Sequence, residues 1–292
     1  MIKKYLKKLY ILIPFKKQIF SGIKKTGKVP ERIYRHLTFK GAFKVVIDKG
    51  RSFKLRHYGF VLENEIFWEG LTGKWEKESI ELWIKLCKDA NIVFDIGANT
   101  GVYSLVAQTI NPQATIYAFE PLKTICDKLI ANNRLNNYSI TCCEIALSDH
   151  DGKAAIYKVN SDHTYEATLN KVFEGKLADA RAIEVEIVTA KTFIEQNGIT
   201  NIDLIKIDVE THEPEVLEGF GEYLLKFKPT ILIELITDYV VEGVIPVVKD
   251  LGYLFFNIDE KKGIQLTETL NISDSYNYLF CTREKAEQLK LI

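Results

Sequence analysis

The sequence predicts an α/β fold: a mostly parallel, doubly wound sheet with helices on both faces, an antiparallel final strand and a small N-terminal β-rich cap. Three observations lead there. From residue 91 onward, short apolar runs rich in β-branched residues alternate with segments of helical period. The last two apolar runs have only a polar loop between them, which makes them an antiparallel pair at one side. Between the first strand and its helix lies VFDIGANTGVYS, residues 93–104, whose acid and two glycines fall where open α/β sheets bind ligands, beyond the carboxyl end of a strand. At 292 residues, 47% hydrophobic and 27% charged, the chain has material for one large core or two smaller ones.

The elements follow in order. Residues 1–38 read as a basic arm, because MIKKYLKKLYILIP sets Ile2, Tyr5, Leu6, Leu9, Tyr10 and Ile13 at helical spacing with Lys3, Lys4, Lys7 and Lys8 between them, closed by Pro14. Residues 39–90 read as the cap, in which FKVVID and SFKLRH flank a Lys-Gly-Arg turn and an aromatic-rich stretch leads into a helix with Ile80, Trp83, Ile84 and Cys87 on its apolar face. Residues 91–292 then give strand NIVFDIG, a helix from Gly101, strand ATIYAFE, helix LKTICDKLIANNRL and strand SITCCEIAL. After them come strand-like AAIYKV and IEVEIV, helix TFIEQN, strand NIDLIKID, helix PEVLEGFGEYLLKF and strand TILIELI. Helix DYVVEGVIPVVKDLG and strands YLFFNID and NYLFCT complete the series.

Charge and cysteine usage narrow the function classes. Nine lysines and no acid occupy residues 1–30, which leaves the rest of a formally neutral chain net negative by nine. An acidic body whose motif loops lack basic residues interleaved with aromatics excludes nucleic acid as the partner. The basic arm suits peripheral contact with an anionic membrane or a tail folded against a neighbour. Cys87, Cys126, Cys142, Cys143 and Cys281 are odd in number and form no zinc-type pair, so a reducing, cytoplasmic setting is expected, at most peripheral at the inner face of the membrane. No signal peptide or membrane-spanning stretch is read from the sequence.

Gly97 and Gly101 let the backbone turn sharply and approach a ligand, and Asp95 offers a carboxylate beside them. Glu120 ends the second strand about two dozen residues later, where an acid can take both hydroxyls of a ribose. The pair indicates a nucleoside. A dinucleotide oxidoreductase would show G-x-G-x-x-G and a helix N-terminus open to pyrophosphate, whereas this chain reads G-A-N-T-G next to an aspartate. S-adenosylmethionine, with a sulfonium, an ammonium and no phosphate, suits the acids. The plainer reading makes the glycines a tight turn and Glu120 a helix cap.

A second cluster lies in NIDLIKIDVETHEPEVLEG, residues 201–219. Strand alternation puts Lys206, Asp208 and, if the strand extends so far, Glu210 on one face, opposite Ile205, Ile207 and Val209. A central parallel strand is normally apolar on both faces, so these charges must pair or act. Glu234 ends the next strand and would join them, His212 follows at the turn, and Glu213 with Pro214 marks a helix start.

With FDIGANTGVYS, FEP, ALSDHDG, LIKIDVE and EVLEG in this order over roughly residues 75–282, the chain resembles the FkbM family of S-adenosylmethionine-dependent methyltransferases, and the sheet order suggests their class I methyltransferase (Rossmann-like) architecture. The resemblance implies that Asp95, Gly97, Asn99, Gly101 and Glu120, with Tyr103 and Pro121 beside them, hold the cofactor and that Ala146 lies near its adenine. It implies that Lys206, Asp208 and Glu210 line the active site. Many members read D-V-E-G-x-E where this chain reads D-V-E-T-H-E, so Thr211 stands for a glycine and His212 enters the turn.

The expected reaction is O-methylation of a sugar or polysaccharide, or of a similar small molecule. His212 or Asp208 is the expected general base. A divalent metal on Asp208, Glu210 and Glu234 is the competing, less favoured mechanism. His163, Tyr165 and Thr168, in NSDHTYEATLN, are expected to bind the acceptor together with Glu234. Two rivals are a nicotinamide-dependent oxidoreductase on the same sheet and a non-catalytic glycan-binding protein on this fold.

Overall fold

Apolar alternation on the strands after residue 91 builds an open sheet with two differently used faces. A computed structural model describes residues 13–158, 167–168 and 181–292. It begins with helices α1 (Lys16–Thr26) and α2 (Glu31–Tyr34), the hairpin β1 (Gly41–Val46) and β2 (Ser52–His57), and helices α3 (Val61–Glu69) and α4 (Lys77–Leu86). Next come β3 (Ile92–Ile96), α5 (Val102–Ile110), β4 (Thr115–Phe119), α6 (Lys123–Asn136), β5 (Thr141–Cys143), β6 (Ala146–Ser148), β7 (Gly152–Lys158), β8 (Ala167–Thr168) and β9 (Arg181–Thr189). The remainder comprises α7 (Ala190–Gln196), β10 (Leu204–Ile207), α8 (Glu213–Glu218), α9 (Glu222–Phe227), β11 (Thr230–Glu234), α10 (Asp238–Val248), β12 (Leu254–Asp259), β13 (Gly263–Thr267), β14 (Asn277–Cys281) and α11 (Arg283–Gln288).

The eight-stranded sheet runs β13-β12-β14-β11-β10-β3-β4-β5. From β5 to β11 every pairing is parallel, and β14 is antiparallel to both β11 and β12. This is the expected Rossmann-like class I architecture with its antiparallel last strand. The expected hairpin is present as β1 and β2, paired from Gly41–His57 to Val46–Ser52.

Strand alternation divides the core. Val93, Leu204 and Leu232 pack on the cap side with Trp83, Leu105 and Phe53, while Phe94, Ile205, Ile207, Ile231 and Ile233 pack on the other side with Phe193, Val216 and Val244. Asp95, Lys206 and Glu234 therefore belong to the cap face, and register sets Lys206 beside Asp95 and Leu232. Trp83 of α4 joins cap to sheet: it is fully buried, donates from Nε1 to the Tyr103 carbonyl at 3.0 Å and meets the Tyr103 ring edge-on at 5.3 Å.

Several expected elements differ. SITCCEIAL is two strands, because Thr141–Cys143 pairs with β4 whereas Ala146–Ser148 leaves to pair with β9 in a separate four-stranded sheet, β6-β9-β7-β8. PEVLEGFGEYLLKF is two helices. Its backbone at Gly219 runs so close to the second sheet that a Cβ there would stand 2.0 Å from the Ser148 carbonyl oxygen, and Gly221 turns with φ 53°. The loop from Glu260 to Asn277 contains the edge strand β13. Strand β10 stops at Ile207, so Glu210 lies beyond it on a turn. A helix, α1, opens directly after Pro14, while the amphipathic helix expected before that proline falls almost wholly outside the described residues.

Replacing Trp83 by alanine removes both the core's largest buried side chain and the cap's bond to α5. Equilibrium urea unfolding of Trp83→Ala should show a loss of about 3–5 kcal/mol; a loss under about 1 kcal/mol would mean that the cap contributes little to the fold.

Candidate active site

The site begins where β3 ends. Gly97 turns with φ 81°, and a Cβ on it would stand 1.9 Å from the Asp208 carbonyl oxygen, so only glycine permits this approach of two strand ends. The Gly97 and Ala98 N–H groups both donate to the Phe119 carbonyl, at 3.0 and 2.9 Å, and Asp208 N–H donates to the Ile96 carbonyl at 3.0 Å. Asn99 follows at φ 52°, and its N–H donates to Glu120 Oε2 at 3.2 Å. The other Glu120 oxygen accepts from Leu122 N–H at 2.9 Å. Glu120 thus holds the glycine loop and the start of the next helix, as the plainer reading has it, yet it also lines the cavity that the loop encloses.

That cavity has a volume of about 280 Å³. Of the residues expected at the site, Asp95, Gly97, Asn99, Tyr103, Glu120, Pro121, Ala146, Lys206, Asp208, Glu210, His212 and Glu234 all line it. Gly101 does not; it starts α5 at φ 91° against Leu129. His163 and Tyr165 lie outside the described residues, and of Thr168 only its place in β8 is described.

Asp95 is buried and already partnered. Its Oδ2 accepts from the Ser104 N–H at 2.9 Å and from the Ser104 hydroxyl at 2.5 Å, which orders the first turn of α5. Burial pushes its carboxyl up to about 6, opposed by the Ser104 bonds and by Lys206.

Lys206 is 1% exposed. Its Nζ lies 3.2 Å from Asp208 Oδ2 and 5.1 Å from the centre of the Tyr103 ring. Burial alone would lower the ammonium's pKa, but the fields of Asp208, Glu76 and Glu234 outweigh it and hold the proton more tightly than in water. Burial and the neighbouring Asp208 push Glu234 far above the usual carboxylate range, so it carries a proton near neutrality.

Two acids escaped the sequence reading. Glu76, at the entrance to α4 with φ 40°, brings a carboxyl from the cap into the cavity, where it accepts from the Tyr103 hydroxyl, and burial raises its pKa as well. Only the aromatic setting of GKWEKES hinted at it. Glu213, read as a helix start, is fully buried: Oε1 accepts from Val209 N–H at 3.1 Å and Thr211 N–H at 3.3 Å, and Oε2 has no protein partner. It clamps a turn in which Glu210 and Thr211 both adopt positive φ, 55° and 80°.

His212 is engaged on both sides. Its Nε2 is 2.9 Å from Ser148 Oγ, its Nδ1 is 3.5 Å from Glu215 Oε2, and burial lowers its pKa against the opposing fields of Glu215 and Asp149. Among the described residues no group of three His, Cys, Asp or Glu side chains is arranged to hold a metal ion.

The family described as Methyltransferase FkbM domain matches residues 95–255. Among curated proteins, the hexuronic acid methyltransferase AglP of Haloferax volcanii is 22% identical over 153 residues, covering 51% of this chain and 58% of that protein. The 31-O-demethyl-FK506 methyltransferase FkbM of Streptomyces tacrolimicus is 28% identical over 156 residues, covering 45% of this chain and 60% of that protein. The match thus spans less than two thirds of either relative. Among solved structures, the methyltransferase FkbM of Methylobacillus flagellatus KT aligns with a TM-score of 0.41 and 13% identity over 66% of this chain and 44% of that one.

Burial raises Glu213 from 4.5 to about 8. An acid held neutral in the fold favours the native state most fully below its unfolded pKa, and that contribution disappears as pH rises through the folded value. Glu213→Gln cannot ionise, so the Tm difference, variant minus wild type, should increase steadily between about pH 5 and pH 8. Parallel Tm profiles for the two proteins would show that Glu213 does not titrate in this range.

Proposed function

The chain belongs to the FkbM methyltransferase family, and on that premise we propose that it methylates a hydroxyl oxygen of a sugar or related polyhydroxylated acceptor, using S-adenosylmethionine. The carrying observation is the charge of the cavity. Asp95, Glu120, Asp208 and Glu210 line it, together with Glu76 and the protonated Glu234, against one ammonium, Lys206, and one histidine, His212. Such a lining attracts a sulfonium and an ammonium and repels a diphosphate. A second observation supports the fit: Asn99 Oδ1 is buried beside the turn without a protein donor, an acceptor that a cationic amine would satisfy.

When bound, the cofactor supplies an electrophilic methyl carbon on a positive sulfur. The chain's own residues would do the rest. Glu120 accepts one N–H on each oxygen and lines the cavity, where its carboxylate would meet the ribose hydroxyls. Pro121, Leu122, Ala146 and Leu147 offer an apolar wall for adenine. Asp208 is the general base: it is partly exposed to the cavity, and the Lys206 ammonium 3.2 Å away orients it. Protonated Glu234 can donate a hydrogen bond to an acceptor oxygen. His212 supports the turn instead of taking the proton, since Ser148 and Glu215 face its two nitrogens.

The sugar reading draws on the named activity of the Haloferax relative, a hexuronic acid methyltransferase. Its acceptor class is carried here as far as a carbohydrate hydroxyl.

Thermal unfolding with S-adenosylmethionine or its demethylated product should raise Tm, while NAD should not. Mass spectrometry of candidate glycans incubated with methyl-labelled cofactor should find the label on oxygen. Asp208→Asn should lower kcat by about 10²–10⁴ while leaving the cofactor-induced Tm shift in place, and His212→Ala should stay within about tenfold of wild type. Stabilisation by NAD alone would overturn the cofactor, and an unimpaired Asp208→Asn would overturn the base.

A further inference from the structure

Helix α1 spends little of its apolar surface on the protein. Phe20 alone is buried, with ring centres 6.5 Å from Phe39 and 5.8 Å from Trp68. Lys24 fixes the helix by donating to the Phe67 carbonyl while its Nζ lies 5.6 Å above the Phe67 ring. An adjoining side is different. Phe15, Ile19 and Ile23, at i, i+4 and i+8, form one row that is 72%, 45% and 37% exposed. Ile13 and Ile33 are exposed as well, so five of the fifteen large exposed hydrophobics among the described residues fall within residues 13–33. That is a concentrated patch, not the scatter of single apolar residues normal on a surface.

Lys16 borders the row on the helical wheel, Lys17 and Lys25 are exposed elsewhere on the same helix, and Lys28 follows it, 3.5 Å from Glu69. These four belong to the run of nine lysines without an acid in residues 1–30, while the rest of the chain is net negative. Long lysine stems can lie beside an apolar row and lift their ammonium groups outward. An exposed apolar row in a segment that carries lysines and no acid is complementary to a layer that is anionic at its surface and apolar a few ångströms below. A second copy of the chain is a poorer occupant. The larger of the two described cavities is the acid-lined site itself, and the other is edged by Asp89, Asp203, Lys228 and Lys285, so neither offers a groove for three apolar side chains. No helix among the described residues is long and apolar enough to cross a membrane.

We infer that the row Phe15, Ile19 and Ile23, with the lysines of the same segment, docks this protein peripherally on an anionic lipid surface. Binding of this kind orients the molecule, because the net-negative body is repelled by the surface that holds the arm. The inference does not rest on the methyl-transfer reading.

Sedimentation of the full chain with vesicles tests it. The protein should pellet with phosphatidylglycerol–phosphatidylcholine vesicles and stay in the supernatant with pure phosphatidylcholine, and 0.5 M salt should release it. The triple variant Phe15→Ser, Ile19→Ser, Ile23→Ser should weaken partitioning at least about tenfold. Lys17→Gln with Lys25→Gln should weaken it by about fivefold per lysine. Both variants change exposed side chains, so an unaltered Tm shows that the fold is intact. Failure to pellet with anionic vesicles, or equal, salt-insensitive pelleting with neutral ones, would overturn the inference. A dimer abolished by the triple variant, without vesicle binding, would overturn it in favour of a second copy.

Discussion

A lysine ammonium buried in the middle of a parallel sheet is the constraint on which the rest of this site depends. Unpaired, such a charge would cost several kcal/mol, so the fold must bring it compensation. Four elements do so: Asp208 follows β10, Glu234 ends β11, Glu76 opens α4, and the Tyr103 ring comes from α5. The cap's contribution ties the most N-terminal of these elements to the sheet through electrostatics as well as through Trp83. The carboxyls also repel one another. The repulsion is relieved by protonation of Glu234, the more deeply screened from water, while Asp208 keeps the ion pair with Lys206. Which carboxyl gives up its charge is therefore an outcome of burial that a count of acids does not reveal.

Much of this could be read in the residues. Period-two alternation in LIKID put Lys206 and Asp208 opposite Ile205 and Ile207, and the structure has Lys206 on the cap face with both isoleucines on the other. Glycine at 97 was read as a sharp turn that lets the backbone approach a ligand; the turn is there, and what the structure brings against it is the carbonyl of Asp208. What stayed hidden depends on tertiary partners. Glu76 reaches the cavity only because α4 packs on α5. Asp95 was read as a ligand-facing acid, but its oxygen is occupied by Ser104, nine residues on. SITCCEIAL divides because its second half finds β9, some forty residues later, and the helix after Pro214 breaks at Gly221, which turns with φ 53°. Strand β13 lies at the sheet edge in polar sequence, where no buried face imposes alternation.

The turn after β10 shows how one departure from a family pattern is accommodated. Many FkbM sequences place glycine where this chain has Thr211, and a φ of 80° there explains why glycine suits the position. Here the strained conformation is held by Glu213, whose carboxyl receives the N–H groups of Val209 and Thr211. His212, the other change, bonds to Ser148 in β6 and so fastens the second sheet to the turn that carries Asp208 and Glu210. Two substitutions that look like losses in the sequence are thus absorbed by neighbours already buried at the site.

Strand β14 has a bearing on how the molecule comes into being. It lies between β11 and β12, yet it follows both in the chain, separated from β11 by more than forty residues. During synthesis the two flanking strands leave the ribosome well before the strand that bridges them. Until residue 281 emerges, Ile231 and Ile233 belong to an open edge with unpaired backbone groups and β12 has only β13 beside it. The nascent chain is consequently exposed to mispairing and to chaperones in that interval, and the catalytic end of β11 cannot become rigid before the last strand slides into place.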